Sequence, residues 1–236
     1  NIGNELINKS KEIGELLSRE EGKTLPEGIG EVARAGQQFQ YYGAECLRMA
    51  GEKIPSTRPG YQVEITREPV GIIGIISPWN FPIAIPAWKA APALMCGNAV
   101  ILKPASLTPA SAIALTEIIA NQDLPAGLFN LIIGSGSGIG NQIATSPEIP
   151  AITFTGSVEV GKSLYADASP LLKKMQMEMG SKNPLVVLDD ADLTTAINCA
   201  ANGAYGGTGQ KCTASSRIIV QEGIYKKFIE GLIDLS

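Results

Sequence analysis

The sequence has 236 residues, of which 44% are hydrophobic and 18% are charged, a composition typical of a globular protein with a sizeable core. The formal net charge of −4 gives no general attraction to nucleic acid or to an anionic membrane, and no apolar run reaches the ~18 residues that a membrane-spanning helix needs. The sequence contains no histidine, which excludes Ser-His-Asp and Cys-His catalysis and histidine-bound metals.

The cysteines indicate the cellular compartment of the protein, and the chain ends indicate its extent. The four cysteines are Cys46, Cys96, Cys199 and Cys212. No two of them form a CxxC pair, so we predict no metal site. Scattered cysteines and the absence of an N-terminal signal pattern favour the cytoplasm. The chain begins and stops inside helical patterns, so we expect it to be a piece of a longer protein.

Apolar periodicity predicts the elements in chain order. Residues 1–50 are predicted as two helices, broken near 22–26, and residues 51–69 as an exposed strand or hairpin. Beyond this segment, strands are predicted at 70–76, 99–102, 128–133, 151–154 and 174–179, with helices at 83–96, 109–120, near 138–145 and at 157–167. Continuous apolar strands that alternate with helices predict a parallel, doubly wound α/β sheet covered on both faces.

Ligands of such sheets bind at the carboxyl ends of the strands, and three polar side chains occur there. Asn80 could donate its amide to a developing oxyanion, or could make a local turn bond. Lys103 could reach a ribose or phosphate, or could be a solvated loop lysine. Glu178 could be a general base if it is partly buried, or could simply face solvent.

Two glycine-rich segments are also candidate sites. Residues 134–140 read GSGSGIG, and glycines before a helix let backbone amides approach a phosphate. Their spacing departs from GxGxxG, and a flexible turn fits equally well. Cys212 follows the glycines of residues 206–209. A polar, glycine-rich flank favours a reactive cysteine over a buried, inert one.

A competing pattern predicts another reaction class. Residues 156–163 read GSVEVGKS, which matches the P-loop pattern GxxxxGK[ST]. The apolar run of residues 185–188, followed by Asp189, resembles the strand and aspartate that hold magnesium in nucleoside triphosphatases. The residues alone therefore leave a P-loop triphosphatase open.

Taken together, the motifs resemble those of the aldehyde dehydrogenase superfamily, in the order of that family. In chain order they are Pro78-Trp79-Asn80-Phe81-Pro82, Lys103-Pro104, Gly134 to Gly140, Phe154-Thr155-Gly156-Ser157, Glu178-Met179-Gly180 and Gly209-Gln210-Lys211-Cys212. The resemblance implies a Rossmann-like NAD(P)-binding domain at 1–50 and 69–179. It further implies an oligomerisation hairpin at 51–68 and the truncated start of a catalytic α/β domain at 180–236.

The resemblance also implies roles for individual residues. Cys212 would be the nucleophile, Glu178 the general base and Asn80 the oxyanion donor. The P-loop pattern would then lie in a helix. The residues implied to bind the cofactor, NADP or NAD, are Ile76, Trp79, Lys103, Ser106, Gly136, Phe154, Gly156, Ser157 and Val160.

Cofactor choice and substrate are further expectations from the resemblance. NAD-preferring members often carry glutamate where this chain has the neutral Ser106, so we expect NADP to be accepted. The stretches at 51–60, 82–89 and 183–192 are similar to 2-oxoglutarate semialdehyde (2,5-dioxopentanoate) dehydrogenases, and succinate semialdehyde is an alternative substrate. The implied partners are a small aldehyde and further copies of the chain, as a homodimer or homotetramer. An inactive nucleotide-binding fragment remains the third hypothesis.

Overall fold

The structure is a computed structural model that describes residues 1–235. Three helices open the chain: α1 (Ile2–Asn8), α2 (Ser10–Glu21) and α3 (Leu25–Glu45). The prediction of two helices in this region was wrong, because Lys9 leaves helical geometry (φ −93°, ψ 11°) and separates α1 from α2. Its amide still donates to the Glu5 carbonyl at 2.9 Å, so the break is confined to one residue.

The predicted break near residues 22–26 is confirmed. Gly22 ends α2 in the left-handed conformation (φ 98°), which glycine adopts without steric cost. Thr24 then begins α3 with a capping box, in which the Thr24 and Glu27 side chains satisfy each other's backbone amides. The three-residue link Gly22-Lys23-Thr24 is therefore fixed at both ends by helix caps.

The segment between residues 51 and 69 forms a hairpin. Strand β1 (Glu52–Pro55) pairs antiparallel with β2 (Gln62–Ile65), with Glu52 opposite Ile65. Every residue of both strands is exposed. The hairpin therefore contributes to none of the hydrophobic clusters of the described residues.

A five-stranded parallel sheet forms the centre of the molecule. Its strands are β3 (Ile72–Ile76), β4 (Ala99–Lys103), β5 (Phe129–Leu131), β6 (Ala151–Gly156) and β7 (Lys174–Met179). The spatial order is β5-β4-β3-β6-β7, so the chain runs to one edge and then returns to the other side of β3. This order confirms the doubly wound α/β prediction, and it creates a switch point between β3 and β6, where such folds bind ligands.

Helices cover both faces of this sheet. They are α4 (Ala84–Met95), α5 (Pro109–Ala120), α6 (Asn141–Thr145) and α7 (Val158–Ala168). Ile75 packs with Ala90 of α4 on one face, whereas the next residue, Ile76, packs with Leu164 of α7 on the other, as strand alternation requires. The predicted strand at 128–133 is shorter than expected because this edge strand pairs with β4 over three residues.

The last part of the chain forms a separate two-stranded parallel sheet. Strand β8 (Asn183–Val187) pairs with β9 (Ser215–Val220), and α8 (Leu193–Tyr205) and α9 (Glu222–Leu235) pack on them. The core of this unit contains Val187, Ala200 and Phe228. Within residues 1–235, no helix is both long and apolar enough to cross a membrane.

The contact between α2 and α3 yields a prediction about stability. A Cβ added to Gly28 would lie 2.6 Å from the Gly14 carbonyl oxygen, whereas one added to Gly30 would meet nothing within 4 Å. We expect Gly28→Ala to lower the free energy of unfolding by about 1–3 kcal/mol through overpacking. The matched Gly30→Ala should raise it by about 0.5–1 kcal/mol through helix propensity. Urea unfolding measures both, and equal effects would contradict the close packing.

Candidate active site

A cleft of about 550 Å³ lies between α4 and the ends of β6 and β7. The side chains that line it are Ile85, Trp88, Lys89, Pro92, Thr153, Thr155, Gln176, Glu178 and Cys212. Two residues that the sequence singled out, Cys212 and Glu178, are therefore brought together from segments that lie far apart in the chain. The cleft combines apolar walls with a few polar groups, as small-molecule sites do.

Cys212 lies in a turn directly after a tight glycine-rich bend. Gly207, Thr208 and Gly209 all have positive φ values, of 62°, 58° and 70°. Such a run is accessible to glycine but is costly for threonine. The Asn183 side chain donates to the Cys212 carbonyl at 2.7 Å and thereby anchors the turn to β8. Cys212 is exposed and forms no disulfide, so the alternative that this cysteine is buried in the core is wrong.

Glu178 projects from the end of β7, where it is in register with Thr155 of β6. Its carboxylate accepts a hydrogen bond from the Gln176 side chain at 3.0 Å. The residue is exposed, but it faces the cleft rather than open surface. It can therefore contact both water and a bound molecule near Cys212.

Sequence reasoning missed Lys89 of α4, whose side chain reaches strands β6 and β7. Its ammonium donates to Thr153 Oγ1 at 2.6 Å and to Gln176 Oε1 at 3.0 Å. Burial lowers the pKa of Lys89 to about 8, and the negative charge of Glu178 partly offsets that effect. The available signal was that Lys89 is the lone charged residue in the apolar helix α4.

Asn80 lies in the segment between β3 and α4 and is joined to the segment that carries Cys212. Its Nδ2 donates to the Gln210 carbonyl at 2.7 Å, and its Oδ1 is buried without a hydrogen-bond partner among the described residues. An amide nitrogen carries two hydrogens, so the Gln210 bond orients the group and leaves the second hydrogen for another acceptor. Asn80 is thus hydrogen-bonded to the segment that carries Cys212, but it is not among the residues that line the cleft.

Lys103, the last residue of β4, is buried, so the interpretation as a solvated lysine is wrong. Its ammonium donates to the Pro104 carbonyl at 2.8 Å, which uses one of three donors, and burial lowers its pKa. Ser106 is exposed, and its hydroxyl donates to the Gly134 carbonyl at 3.3 Å. The segment after β4, which carries Ser106, therefore contacts the glycine-rich segment after β5.

The other predicted cofactor residues lie along the ends of β3, β5 and β6. The side chains of Ile76 and Phe154 belong to the core, so only the backbone groups of these two residues can contact a ligand. Gly136 is exposed and begins one π-helical turn, Gly136–Gly140. Trp79 is half-buried, next to Asn80 in the segment after β3, and Val160 is 49% exposed on α7.

Gly156 and Ser157 form the junction between β6 and α7. A Cβ on Gly156 would lie 2.5 Å from the Phe154 ring, so only glycine fits there. The Ser157 hydroxyl caps α7 by accepting from the Val160 amide at 3.2 Å. Helix α7 starts at Val158, so Gly161 and Lys162 lie inside it. No loop remains to surround a phosphate, and the P-loop hypothesis is therefore wrong.

The comparison with known proteins identifies the family of the chain. The sequence profile of the Aldehyde dehydrogenase family matches residues 1–235. The chain belongs to this family. The α-ketoglutaric semialdehyde dehydrogenase of Bacillus subtilis is 48% identical over 223 residues, which are 94% of this chain and 46% of that protein. The 2,5-dioxopentanoate dehydrogenase of Saccharolobus solfataricus is 40% identical, over 96% of this chain and 48% of that protein.

Solved structures of the family share the fold described above. An NADP-dependent enzyme of E. coli superposes with a TM-score of 0.97 at 36% identity, covering 100% of this chain and 49% of that one. Betaine aldehyde dehydrogenase from Staphylococcus aureus, in complex with NAD⁺, gives 0.97 at 35% identity, covering 99% and 46%. The chain spans about half the length of the curated relatives it matches.

The proximity of Glu178 to Lys89 yields a prediction about titration. Because the Glu178 carboxylate raises the pKa of Lys89 against the effect of burial, Glu178→Gln should move that pKa below about 8. A pH titration of the lysine side-chain NMR signals in wild type and variant measures the shift. Glu148→Gln, which removes an exposed carboxylate outside the cleft, should leave the pKa unchanged. An unchanged value in Glu178→Gln would show that the two charges do not interact.

Proposed function

We propose that the protein containing this chain oxidises an aldehyde to a carboxylic acid, with NADP⁺ or NAD⁺ as the oxidant and Cys212 as the nucleophile. The observation that carries the proposal is the convergence of the nucleophile and a carboxylate on one cleft. Cys212 and Glu178 both line it, and Asn80 is hydrogen-bonded beside Cys212 through Gln210. In this chemistry no step requires histidine, in agreement with the composition.

In the first half-reaction, the thiolate of Cys212 attacks the aldehyde carbon and forms a carbon–sulfur bond. The carbonyl π-electrons move to oxygen, and the resulting oxyanion accepts hydrogen bonds from the Asn80 amide and the Cys212 backbone amide. Each such donor typically contributes about 3–4 kcal/mol to the stability of the transition state. When bound, NAD(P)⁺ would supply the hydride acceptor. The oxyanion electrons would re-form the carbonyl as the hydride leaves, and the carbon held by Cys212 would then be a thioester.

In the second half-reaction, Glu178 takes a proton from a water molecule, whose oxygen attacks the thioester carbon. The carbon–sulfur bond breaks, the carboxylic acid leaves and Cys212 returns to its thiolate form. The position of Glu178 supports this role, because its carboxylate lines the cleft while remaining exposed to water.

The residues of the carboxyl edge of the sheet fit a dinucleotide. Lys103 presents a buried ammonium with one internal acceptor, which suits the hydroxyls of a ribose. Ser106 would lie beside that ribose, and Trp79, Gly136, Gly156, Ser157 and Val160 would line the rest of the groove, with backbone from Ile76 and Phe154. Because Ser106 is neutral, we propose that NADP is accepted.

For the substrate we propose a semialdehyde, with 2-oxoglutarate semialdehyde first and succinate semialdehyde second. The support is that the relatives at 48% and 40% identity are named α-ketoglutaric semialdehyde dehydrogenase and 2,5-dioxopentanoate dehydrogenase, two names for enzymes of the same aldehyde. A succinate-semialdehyde dehydrogenase of Arabidopsis thaliana is 41% identical. Initial rates with the two semialdehydes, compared as kcat/KM, distinguish the candidates.

We also propose that different parts of the chain have different functions. Residues 1–50 and 69–179 would bind the cofactor, 51–68 would join copies into a homodimer or homotetramer, and 180–236 would begin the catalytic domain. The strands of the hairpin, in which every residue is exposed, support its role in assembly. Four free cysteines support a cytoplasmic location. Because the chain spans about half of its relatives, binding without turnover is the second candidate for this chain by itself.

Variants of the proposed catalytic residues test the reaction in the full-length protein that carries this chain. Cys212→Ser should abolish oxidation, whereas Cys199→Ser, which changes another exposed cysteine, should leave it intact. Glu178→Gln should retain one rapid burst of reduced cofactor and then turn over slowly, because the thioester forms but is not hydrolysed. Stopped-flow absorbance measures both phases. Full steady-state activity in Cys212→Ser would exclude the covalent mechanism.

The neutral side chain at position 106 yields a prediction about cofactor choice. Ser106→Glu should weaken NADP binding by about tenfold or more, since a carboxylate repels the 2′-phosphate, and should weaken NAD binding less. Ser106→Gln has the same shape without the charge and should affect both cofactors alike. Calorimetric titration gives the Kd values, with ATP-magnesium as a negative control. Equal Kd changes for both cofactors in Ser106→Glu would refute the role given to Ser106.

A further inference from the structure

Three ionic side chains are buried together beneath the segment that carries Asn80. The side chains of Lys23 and Glu31 are each 2% exposed and that of Glu21 is 1% exposed. Lys23 Nζ lies 2.6 Å from Glu31 and 3.9 Å from Glu21. Buried ions gain little net stability over apolar residues of similar size, so stability alone is a weak explanation of this cluster.

The remaining bonds of the pair Lys23–Glu31 all go to one segment, residues 80–84. Lys23 Nζ donates to the Asn80 carbonyl at 2.8 Å and lies 4.1 Å from the centre of the Phe81 ring. Glu31 Oε1 accepts from the backbone amides of Ile83 and Ala84, each at 3.0 Å. The pair therefore holds the segment at both ends, from its first residue to the start of α4.

Helix α3, which carries Glu31, also holds the segment that precedes Cys212. Glu27, one turn before Glu31 on α3, accepts from the Gly207 amide at 2.6 Å. The two segments then meet through the bond from Asn80 to the Gln210 carbonyl. The start of α3 is thus a common support for the proposed oxyanion donor and the proposed nucleophile, which lie 132 positions apart in the sequence.

We infer that Lys23 and Glu31 are positioning residues for aldehyde oxidation, which fix the backbone of Asn80 so that its amide is aimed at the oxyanion. This inference rests on the function proposed above. Neither residue lines the cleft that holds Cys212, so both act through Asn80. The Lys23 bond holds the Asn80 main chain, and the Gln210 bond orients its side chain. Because catalytic donors act only within narrow geometric limits, a displacement of about 1 Å is enough to lower the rate by about 10²-fold.

A double-mutant cycle tests the inference in the full-length protein. Lys23→Met should lower kcat by about tenfold or more in the wild-type background and by less than about twofold in the Asn80→Ala background, because its effect passes through Asn80. The Kd for NADPH, from fluorescence, should stay within about twofold. Equal losses of kcat in both backgrounds would overturn the inference and leave Lys23 a structural residue.

A matched control separates positioning from general stability. Glu20 accepts from the Ala110 and Ser111 amides at 2.7 and 2.9 Å, so it caps α5 much as Glu31 caps α4, but outside the site. Glu20→Gln should lower the melting temperature and leave kcat unchanged. If Lys23→Met does not fold, because Glu31 is left unpaired, Lys23→Met/Glu31→Gln removes both charges. Wild-type kcat in that double variant would also overturn the inference.

An activity-free measurement distinguishes this inference from the proposed function. In protein labelled with ¹⁵N-asparagine, Lys23→Met should shift or broaden the side-chain amide signal that Asn80→Ala removes, and Glu20→Gln should leave that signal in place. If the wild-type protein does not oxidise aldehydes but Lys23→Met moves the Asn80 signal, the proposed function fails and the positioning stands. An unmoved signal refutes the positioning whatever the activity.

Discussion

The backbone hydrogen bonds of β3, which pairs with β4 on one side and β6 on the other, bring distant parts of the chain to one edge of the sheet. All neighbouring strands are parallel, so their carboxyl ends coincide and Lys103, Gly156 and the segment with Asn80 emerge together. Placing β3 at the centre of the strand order opens the crevice at this edge. The positions of the side chains that could hold a dinucleotide follow from this one arrangement of strands.

The second constraint is electrostatic and acts at the cleft. Lys89, Thr153 and Gln176 form a hydrogen-bonded cluster against which Glu178 packs. Burial favours the neutral amine of Lys89, whereas the carboxylate favours the ammonium. The two groups are therefore coupled, and the charge in the cleft depends on both. Cys212 lies in the turn between α8 and β9, which is part of the unit with the two-stranded sheet and not of the five-stranded one.

Much of this organisation could be predicted from the sequence. Strands β3, β4 and β6 were evident because strands buried on both faces are continuous apolar runs. Edge strand β5 was predicted too long, because the apolar run extends beyond the three residues that pair with β4. The P-loop pattern at 156–163 was misleading, since a short motif does not record where its helix begins. Cys212, Glu178 and Asn80 could be singled out because their flanking motifs are local, and the structure brings their segments together.

What could not be predicted was the set of contacts between distant residues. Lys23 meets Asn80 across 57 positions and Glu27 meets Gly207 across 180, and no local pattern encodes such distances. The burial of Lys103 and Lys89 was missed for a related reason. Lysines are mostly exposed, and the walls that bury Lys89 come from strands 64 and 87 residues later in the chain.

The support that α3 gives to two separate segments has a consequence for biosynthesis. Translation proceeds from the N-terminus, and domains generally fold in that order. Lys23 and helix α3, which carries Glu31, are therefore made long before the segment that bears Cys212. The residues that support the segment of Cys212 are synthesised before Cys212 itself, so the new cysteine meets a surface that is already in place.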